Sequence, residues 1–457
     1  MFMQYLIFSV WWVPLAAYLA NMGMSGMQKS LILSSMAIGS MASPIIGMIA
    51  DRHYASEKVL AVSNLFTAAL LFLAANIVNP NILLIVIIFA MICYMPTWSL
   101  TSSIAMAHTS AEQFPRIRVF GSIGWVASGL FSIIAVSIFK IKMFDGSTIP
   151  LYCGAVISLF AAFFNLFLPT TPPAAKGQKA SIVDILGLRS FSMLKDRNFR
   201  IFIILSFFSI IPFSMYHVFG SEFLQSQNFQ FITFTMNFGQ VVEILFMIIA
   251  TTIIIRIGIK WALVVGLIAL VIRYLSFYMG GIFNQDTLYI LGILVHGIIF
   301  GLFYVGGQVY TDRIAPKELK AQAQGFLAFV VWGVGLFLGI LLDGWLISFY
   351  SAETNGKMFY NWNSIFAITT ILSIIILVFF IIFFKEGMTE KVKKIIESKY
   401  LPTNILPLMI PLLTSSVQKN EDKTVLAVIN LPIDKDDNYN SKYSNLTEIN
   451  EDDFIPG

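Results

Sequence analysis

A glutamate stands in the middle of an apolar run. The stretch FGQVVEILFM, residues 238–247, lies inside a run from about Phe231 to Arg256, and Glu243 has twelve mostly apolar residues on either side. In a bilayer that carboxylate sits near the midplane, where a charge costs about 2.5–3.5 kcal/mol on insertion scales, so such acids are retained for a function, held by a partner, or both. Gln240 and Asn237 precede it at steps of three and share its helical face. Arg273 lies mid-way along the next apolar run, in LVIRYLSFY. Two readings stand side by side: a structural pair between Glu243 and Arg273, and a substrate ligand or proton carrier at Glu243. They are compatible, because removal from water favours the neutral form of a carboxyl, and a protonated acid lets go of its cation.

Other residues can join it. Ser214, Tyr216 and His217 follow Pro212, and His296 and Phe300 lie four apart on one face. His217 and His296 are the histidines within apolar runs, and spacing offers no third metal ligand. Hydrogen bonding to a polar ligand, or a satisfied structural role, fits them better than metal. In EQFPRIRVFGSIGW, residues 112–125, Arg118, Ser122 and Trp125 fall at i, i+4 and i+7. Arg116 reads as a membrane-edge anchor, and Arg118 as either a second anchor or an inward-pointing cation. Trp125 either faces lipid or offers a flat ring for stacking. A stacking ring, amide and guanidinium donors and a carboxylate suit an uncharged solute with a ring and hydroxyls. A nucleoside and a sugar both answer that description.

The elements that must position these residues follow from composition. The chain has 457 residues, 57% hydrophobic and 12% charged, against about 25% charged in soluble domains. It reads as an all-α polytopic membrane protein, since only helices or closed barrels satisfy the backbone in lipid. A net charge of +4 gives no reason to expect a nucleic-acid partner. Cys93 and Cys153 both lie in apolar runs and read as small hydrophobes. The first apolar run lacks a basic leader and outlasts a signal-peptide core. Twelve spans of about 20 residues are expected, at 3–22, 30–50, 59–78, 82–106, 118–139, 149–169, 199–221, 231–255, 261–281, 287–310, 323–348 and 362–384. The even-to-odd loops and the segment after the last span carry twenty Lys and Arg, against four on the other side. By the positive-inside rule both termini are cytoplasmic.

The longest internal break, 170–198, opens with TTPPAAKGQKAS and separates six spans from six. The expected organisation is an N-terminal six-helix bundle (1–169), a cytoplasmic linker (170–198), a C-terminal six-helix bundle (199–386) and a largely disordered cytoplasmic tail (387–457), acidic and Asn-rich. Duplicated transporters of this kind place their site between the halves near the midplane. The loop GMIADRHYASEK, residues 47–58, sets Gly47, Asp51 and Arg52 between spans 2 and 3. A small residue there allows close helix approach, the acid caps or pairs at a helix end, and the Arg anchors the face. This loop resembles the signature of the major facilitator superfamily, and IIIRIGIK, residues 253–260, is its degenerate echo in the second half.

Longer stretches carry a narrower resemblance. CYMPTWSLTSS (93–103), FPRIRVFGSIGW (114–125), ILGLRSFSML (185–194), GQVVEILFM (239–247), LVIRYLSF (270–277) and HGIIFGLFYVGGQVYTDRIAPKELKAQAQGFL (296–327) are similar to the nucleoside:proton symporter family of that superfamily. The resemblance runs from the first span to the twelfth and omits the tail after about residue 390. It implies a major facilitator fold of 6+6 pseudo-symmetric halves and a bacterial inner-membrane protein that takes up nucleosides with protons. The proton is the coupling ion, no cofactor or metal is expected, and the unit is a monomer. The residues it implies at the site are Arg118, Ser122, Trp125, Ser214, His217, Gln240, Glu243, His296 and Phe300, with Glu243 as coupling acid and Arg273, Gly47, Asp51 and Arg52 as structural or conformational residues. One departure stands out. Relatives carry an aspartate directly after the position of Phe300, where this chain has Gly301. Coupling then falls to Glu243, or is absent. A symporter of another neutral solute such as a sugar, or a nucleoside sensor that no longer transports, are the alternatives. No HExxH pair or nucleophile elbow argues for an enzyme.

Overall fold

A computed structural model describes residues 1–109, 114–173, 188–316, 319–354 and 357–385, and the backbone of three short strands at 417–419, 424–427 and 449–450. Twelve apolar helices make up nearly all of it: α1 Phe2–Asn21, α2 Gly26–Ala50, α3 Ser56–Ala74, α4 Pro80–His108, α5 Ile117–Ser137, α6 Ile149–Asn165, α7 Arg197–Ser226, α8 Ile232–Ala250, α9 Arg256–Phe283, α10 Asp286–Ile314, α11 Gln322–Phe349 and α12 Trp362–Phe383. Eleven are long enough to cross a bilayer outright; α6, of 17 residues, is the short one. Each expected span falls on one of these helices. Large apolar side chains such as Phe72, Phe89, Phe163, Ile248 and Ile371 stay exposed on the outside. That surface is too greasy for water and matches acyl chains.

Local sequence sets the ends. Ser25 and Gln28 form a reciprocal capping box at the start of α2. Asp196 accepts from the Phe199 amide at 2.7 Å to start α7, and Asn361 accepts from Ser364 at 3.1 Å to start α12. Gly258, at φ +78°, kinks the run Ile232–Phe283 near the start of α9. Pro14 interrupts α1, dividing it into Phe2–Trp12 and Leu15–Asn21. Pro212 does not divide α7, which is helical throughout Arg197–Ser226. Proline lacks an N–H, so the Phe208 carbonyl one turn back loses its helical partner, and on the next turn a side chain enters the ladder between Pro212 and Tyr216. The Tyr274 hydroxyl of α9 donates to the Pro212 carbonyl and accepts from the Tyr216 amide.

The first six helices pack mainly on one another, α1 against α5 and α6, α3 against α6, and α2 against α4. In the last six, α9 packs on α10 and α12, and α7 on α11 and α12. With twelve alternating spans, the start of α1 and the end of α12 lie at one end of the bundle. At the opposite end a seam joins the two sets of helices. Lys29 of α2 and Glu222 of α7 form a buried ion pair, and Lys29 also donates to the Tyr360 hydroxyl at 3.0 Å. Gly26 lies against the carbonyl of Gly344, and the Met27 amide donates to Ser348 Oγ at 3.0 Å. Asp145, in the α5–α6 loop, accepts from Ser132 at 2.8 Å, from the Ile232 amide at 3.1 Å and from Thr233. Burial pushes the Asp145 carboxyl above its usual range, outweighing those hydrogen bonds.

Candidate functional site

Two close crossings put the central residues together. A Cβ at Gly297 of α10 would meet the Glu243 amide of α8 at 2.2 Å, and one at Gly239 of α8 would meet the Ile293 carbonyl of α10 at 2.8 Å. Only glycine permits backbones this near. The crossing sets Glu243 Oε2 3.4 Å from His296 Nε2. On the other side of the ring, an Arg273 guanidinium nitrogen lies 2.8 Å from His296 Nδ1. Arg273 is 0% exposed, donates through Nε to the Gly292 carbonyl at 3.2 Å, and stacks over the Tyr216 ring at 4.5 Å.

The imidazole tautomer follows from these partners. A guanidinium only donates, so Nδ1 accepts and the ring proton sits on Nε2, aimed at Glu243. A doubly protonated ring would set donor against donor. Glu243 and Arg273 are therefore not a direct pair, which corrects the structural reading above. His296 stands between them and carries the influence of the cation to the carboxylate. Gln240 hydrogen-bonds that carboxylate, and Arg118 of α5 acts on it through space.

Arg118 points inward. Its guanidinium lies over the Tyr5 ring of α1 at 4.5 Å, and its Nη1 is buried without a hydrogen-bond partner. Trp125 leans on Phe8, one turn along from Tyr5, with centroids 5.5 Å apart. Ser122, between them, is buried. The three expected residues of α5 thus share one face, toward α1, and Trp125 does not belong to the lipid surface. Tyr5 stacks on Trp98 of α4 at 4.9 Å, and Phe8 packs edge-on to Trp98 at 5.2 Å. Asn237 leaves the site: its amide donates to the Val126 carbonyl at 3.0 Å and ties α8 to α5.

On the α7 side, His217 lies parallel to His296 at 6.3 Å, and Phe213 stacks on both rings. Phe300 continues the stack at 6.3 Å from His296 and 6.0 Å from Trp332 of α11. Phe300 and Trp332 lie in two π-helical segments, Ile299–Val305 and Phe329–Gly335, a local widening often found at functional sites. Ser214 turns away, toward Asp343 of α11 at 2.5 Å. Gly301 faces Phe246, with 3.1 Å to Phe246 Cβ for an added Cβ. A cavity of about 20 Å³ between α7, α10 and α11, lined by Phe202, Gln308 and Trp332, holds no more than a water.

Gly47 departs from expectation. An added Cβ there would meet nothing within 4 Å, whereas Gly39 of α2 abuts the Met91 carbonyl of α4. Close approach by α2 is made at Gly39 and Gly26. Asp51 ends the helical segment Ser35–Arg52 with Arg52, and its side chain lies outside the described residues, as does that of Arg116. Sequence reasoning did not assign Tyr5, Phe8, Trp98, Trp332, Asp343, or the Lys29–Glu222 pair. Asp343 and Glu222 carried the signal that exposed Glu243, a charge within apolar sequence. The aromatics carried none, being a few among 42 Phe, 16 Tyr and 8 Trp.

Comparison with known proteins identifies the family. A family model described as nucleoside H+ symporter matches residues 1–389. The putative nucleoside transporter YegT of Escherichia coli is 35% identical over 398 residues, covering 85% of this chain and 93% of that protein. The nucleoside permease NupG of E. coli is 27% identical over 403 residues, covering 84% and 94%. The crystal structure of the nucleoside transporter NupG superposes with a TM-score of 0.75 at 26% identity, covering 84% of this chain and 97% of that one. The xylose transporter XylE of E. coli, at 13% identity and a TM-score of 0.59, shares the fold alone, covering 85% of this chain and 97% of that one. The twelve-helix bundle is a major facilitator fold, and these relatives are transporters rather than enzymes. With the family model running unbroken through all twelve helices, this chain belongs to the nucleoside H+ symporter family.

Proposed function

We propose that this protein imports nucleosides with protons across a bacterial inner membrane, by alternating access around the site between the α5 and α8–α10 faces. The observation that carries the reading is Glu243. It is a midplane carboxylate in contact with His296, which is held in one tautomer by Arg273 and leaves Nε2–H for the acid. Protonation of Glu243 removes the negative charge that His296 faces, weakens that contact and frees both groups for the substrate. Arg118 Nη1, buried and unpartnered, supplies a donor to a base carbonyl or a ribose hydroxyl. Trp125 and Phe300 supply ring faces, and Ser122, Gln240 and His217 supply polar contacts at the rim. Ser214 is engaged by Asp343 and acts from behind that surface.

The charge asymmetry of the loops supports cytoplasmic termini, so the sealed end is the external one. The central site needs no second subunit, which supports a working monomer, and no metal or organic cofactor enters the scheme. The test is uptake of labelled uridine into proteoliposomes, with and without an inward proton gradient, with adenosine and glucose as competitors. Gradient-driven accumulation blocked by adenosine and not by glucose is expected. Uptake indifferent to the gradient would make the protein a facilitator. Blockage by glucose instead would move it to sugars.

A further inference from the structure

Asp343 is a second acid within the membrane-spanning region, and the scheme above gives it no task. It is 3% exposed, on α11. Ser214 Oγ lies 2.5 Å from its Oδ2 and 2.8 Å from the carbonyl of Ile211. A serine hydroxyl has one proton to donate. If Ser214 spends it on an ionised Asp343, the carboxylate is left buried with one donor, and no described Lys, Arg or His forms an ion pair with it. An isolated buried carboxylate is strongly disfavoured. If Asp343 instead carries a proton, it donates to Ser214, and Ser214 donates to Ile211. Both short contacts then become hydrogen bonds.

The position matters as much as the state. Gly344, the next residue, presses on Ser30 and Gly26 of α2, and Gly339 of α11 packs on Ser214 itself. Asp343 therefore borders the seam that must part when the external side opens. The titratable groups near it are otherwise engaged. Tyr274 of α9 bridges Pro212 and Tyr216. Lys29 of α2 and Glu222 of α7 pair with each other, Glu222 being eight residues past Ser214 on α7, about 12 Å.

We propose that Asp343 is a proton-binding residue of the external seam, neutral whenever the seam is closed, taking its proton from the external solution and returning it there when the seam reopens. It conditions closure on external pH and adds nothing to the number of protons delivered inside. This rests on the transport reading, and the experiment separates the two. Nucleoside counterflow is measured in right-side-out vesicles with internal pH fixed and external pH raised, for wild type, Asp343→Asn and Ser214→Ala. Any contribution of Glu243 is common to all three. The side-chain amide introduced by D343N would donate to Ser214 as the neutral acid does, so this variant should lose much of the alkaline decline in exchange while keeping gradient-driven accumulation. Ser214→Ala removes the acceptor of the neutral form and should shift the decline to lower pH. Profiles of D343N and S214A that overlay the wild type overturn the proposal. If D343N does not fold, S214A alone decides it by the same criterion. Absence of nucleoside exchange in the wild type would sink the transport reading instead.

Discussion

At the scale of single residues, the site is a chain of donors with one acceptor at its end. Arg273 donates to His296, His296 faces Glu243 with its remaining N–H, and the carboxylate is the group whose charge can change. Glu243→Gln keeps the size and removes the charge. It should abolish proton-driven accumulation in proteoliposomes while leaving counterflow measurable; loss of both would make Glu243 a ligand or structural partner first. Arg273 holds its place by contacts in different directions, to the Gly292 carbonyl, His296 Nδ1 and the Tyr216 ring face. A lysine cannot reproduce the planar fork or the stack. Arg273→Lys should therefore cost about 1–3 kcal/mol for a buried polar group left unsatisfied, read as a lower Tm in detergent. Glu243, Arg273 and His296 were legible in the sequence because each is a polar residue alone in apolar surroundings. Their order was not, because spacing gives shared faces within a helix and says nothing of which of two helices supplies the intermediate ring. Lys29 was misassigned to a loop because serine, methionine and glutamine flank it, and only the fold shows that it enters the seam.

At the scale of elements, what makes the site is how near α8 and α10 come. Gly297 meets the backbone of α8, which cannot swing aside as a side chain does. Gly297→Ala should part the helices, cost about 1–3 kcal/mol or more as overpacking, and draw His296 away from Glu243. The expected readout is a lowered Tm with counterflow reduced more than expression. Gly325→Ala is the control, since a Cβ there meets nothing within 4 Å. It should leave Tm within about 0.5 kcal/mol of equivalent change. The spans were legible because twenty apolar residues are a signal that needs no context. The π-helical segments that carry Phe300 and Trp332 were not, since an extra residue in a turn is decided by what packs there. The entry of Tyr274 into the α7 ladder after Pro212 was equally hidden, because that tyrosine comes from 62 positions away.

At the scale of the whole molecule, the protein must seal one end of its central passage without gluing it shut. The seam uses a buried ion pair, close glycine contacts and a few hydrogen bonds, a mixture whose strength depends on every partner being present. Lys29 and Glu222 are 0% and 1% exposed, so each is tolerable only beside the other. Removing one partner of such a pair costs about 3–5 kcal/mol, whereas replacing both with apolar residues of similar volume is often neutral. Lys29→Met should therefore weaken the closed seam by leaving Glu222 buried with no cation beside it, and Lys29→Met with Glu222→Leu should restore or exceed the original closure. A cysteine placed at Ser30, which is buried against Gly344, reports on this. Its labelling by a membrane-impermeant maleimide, above the background of Cys93 and Cys153, should rise in the single variant and fall back in the double. The double variant should also turn over more slowly, because an apolar seam has no charge to rehydrate on opening and so resists the reverse step. Equal labelling of the single and double variants would mean that the ion pair does not hold the seam, and the glycine contacts of α2 and α11 would have to carry closure by themselves.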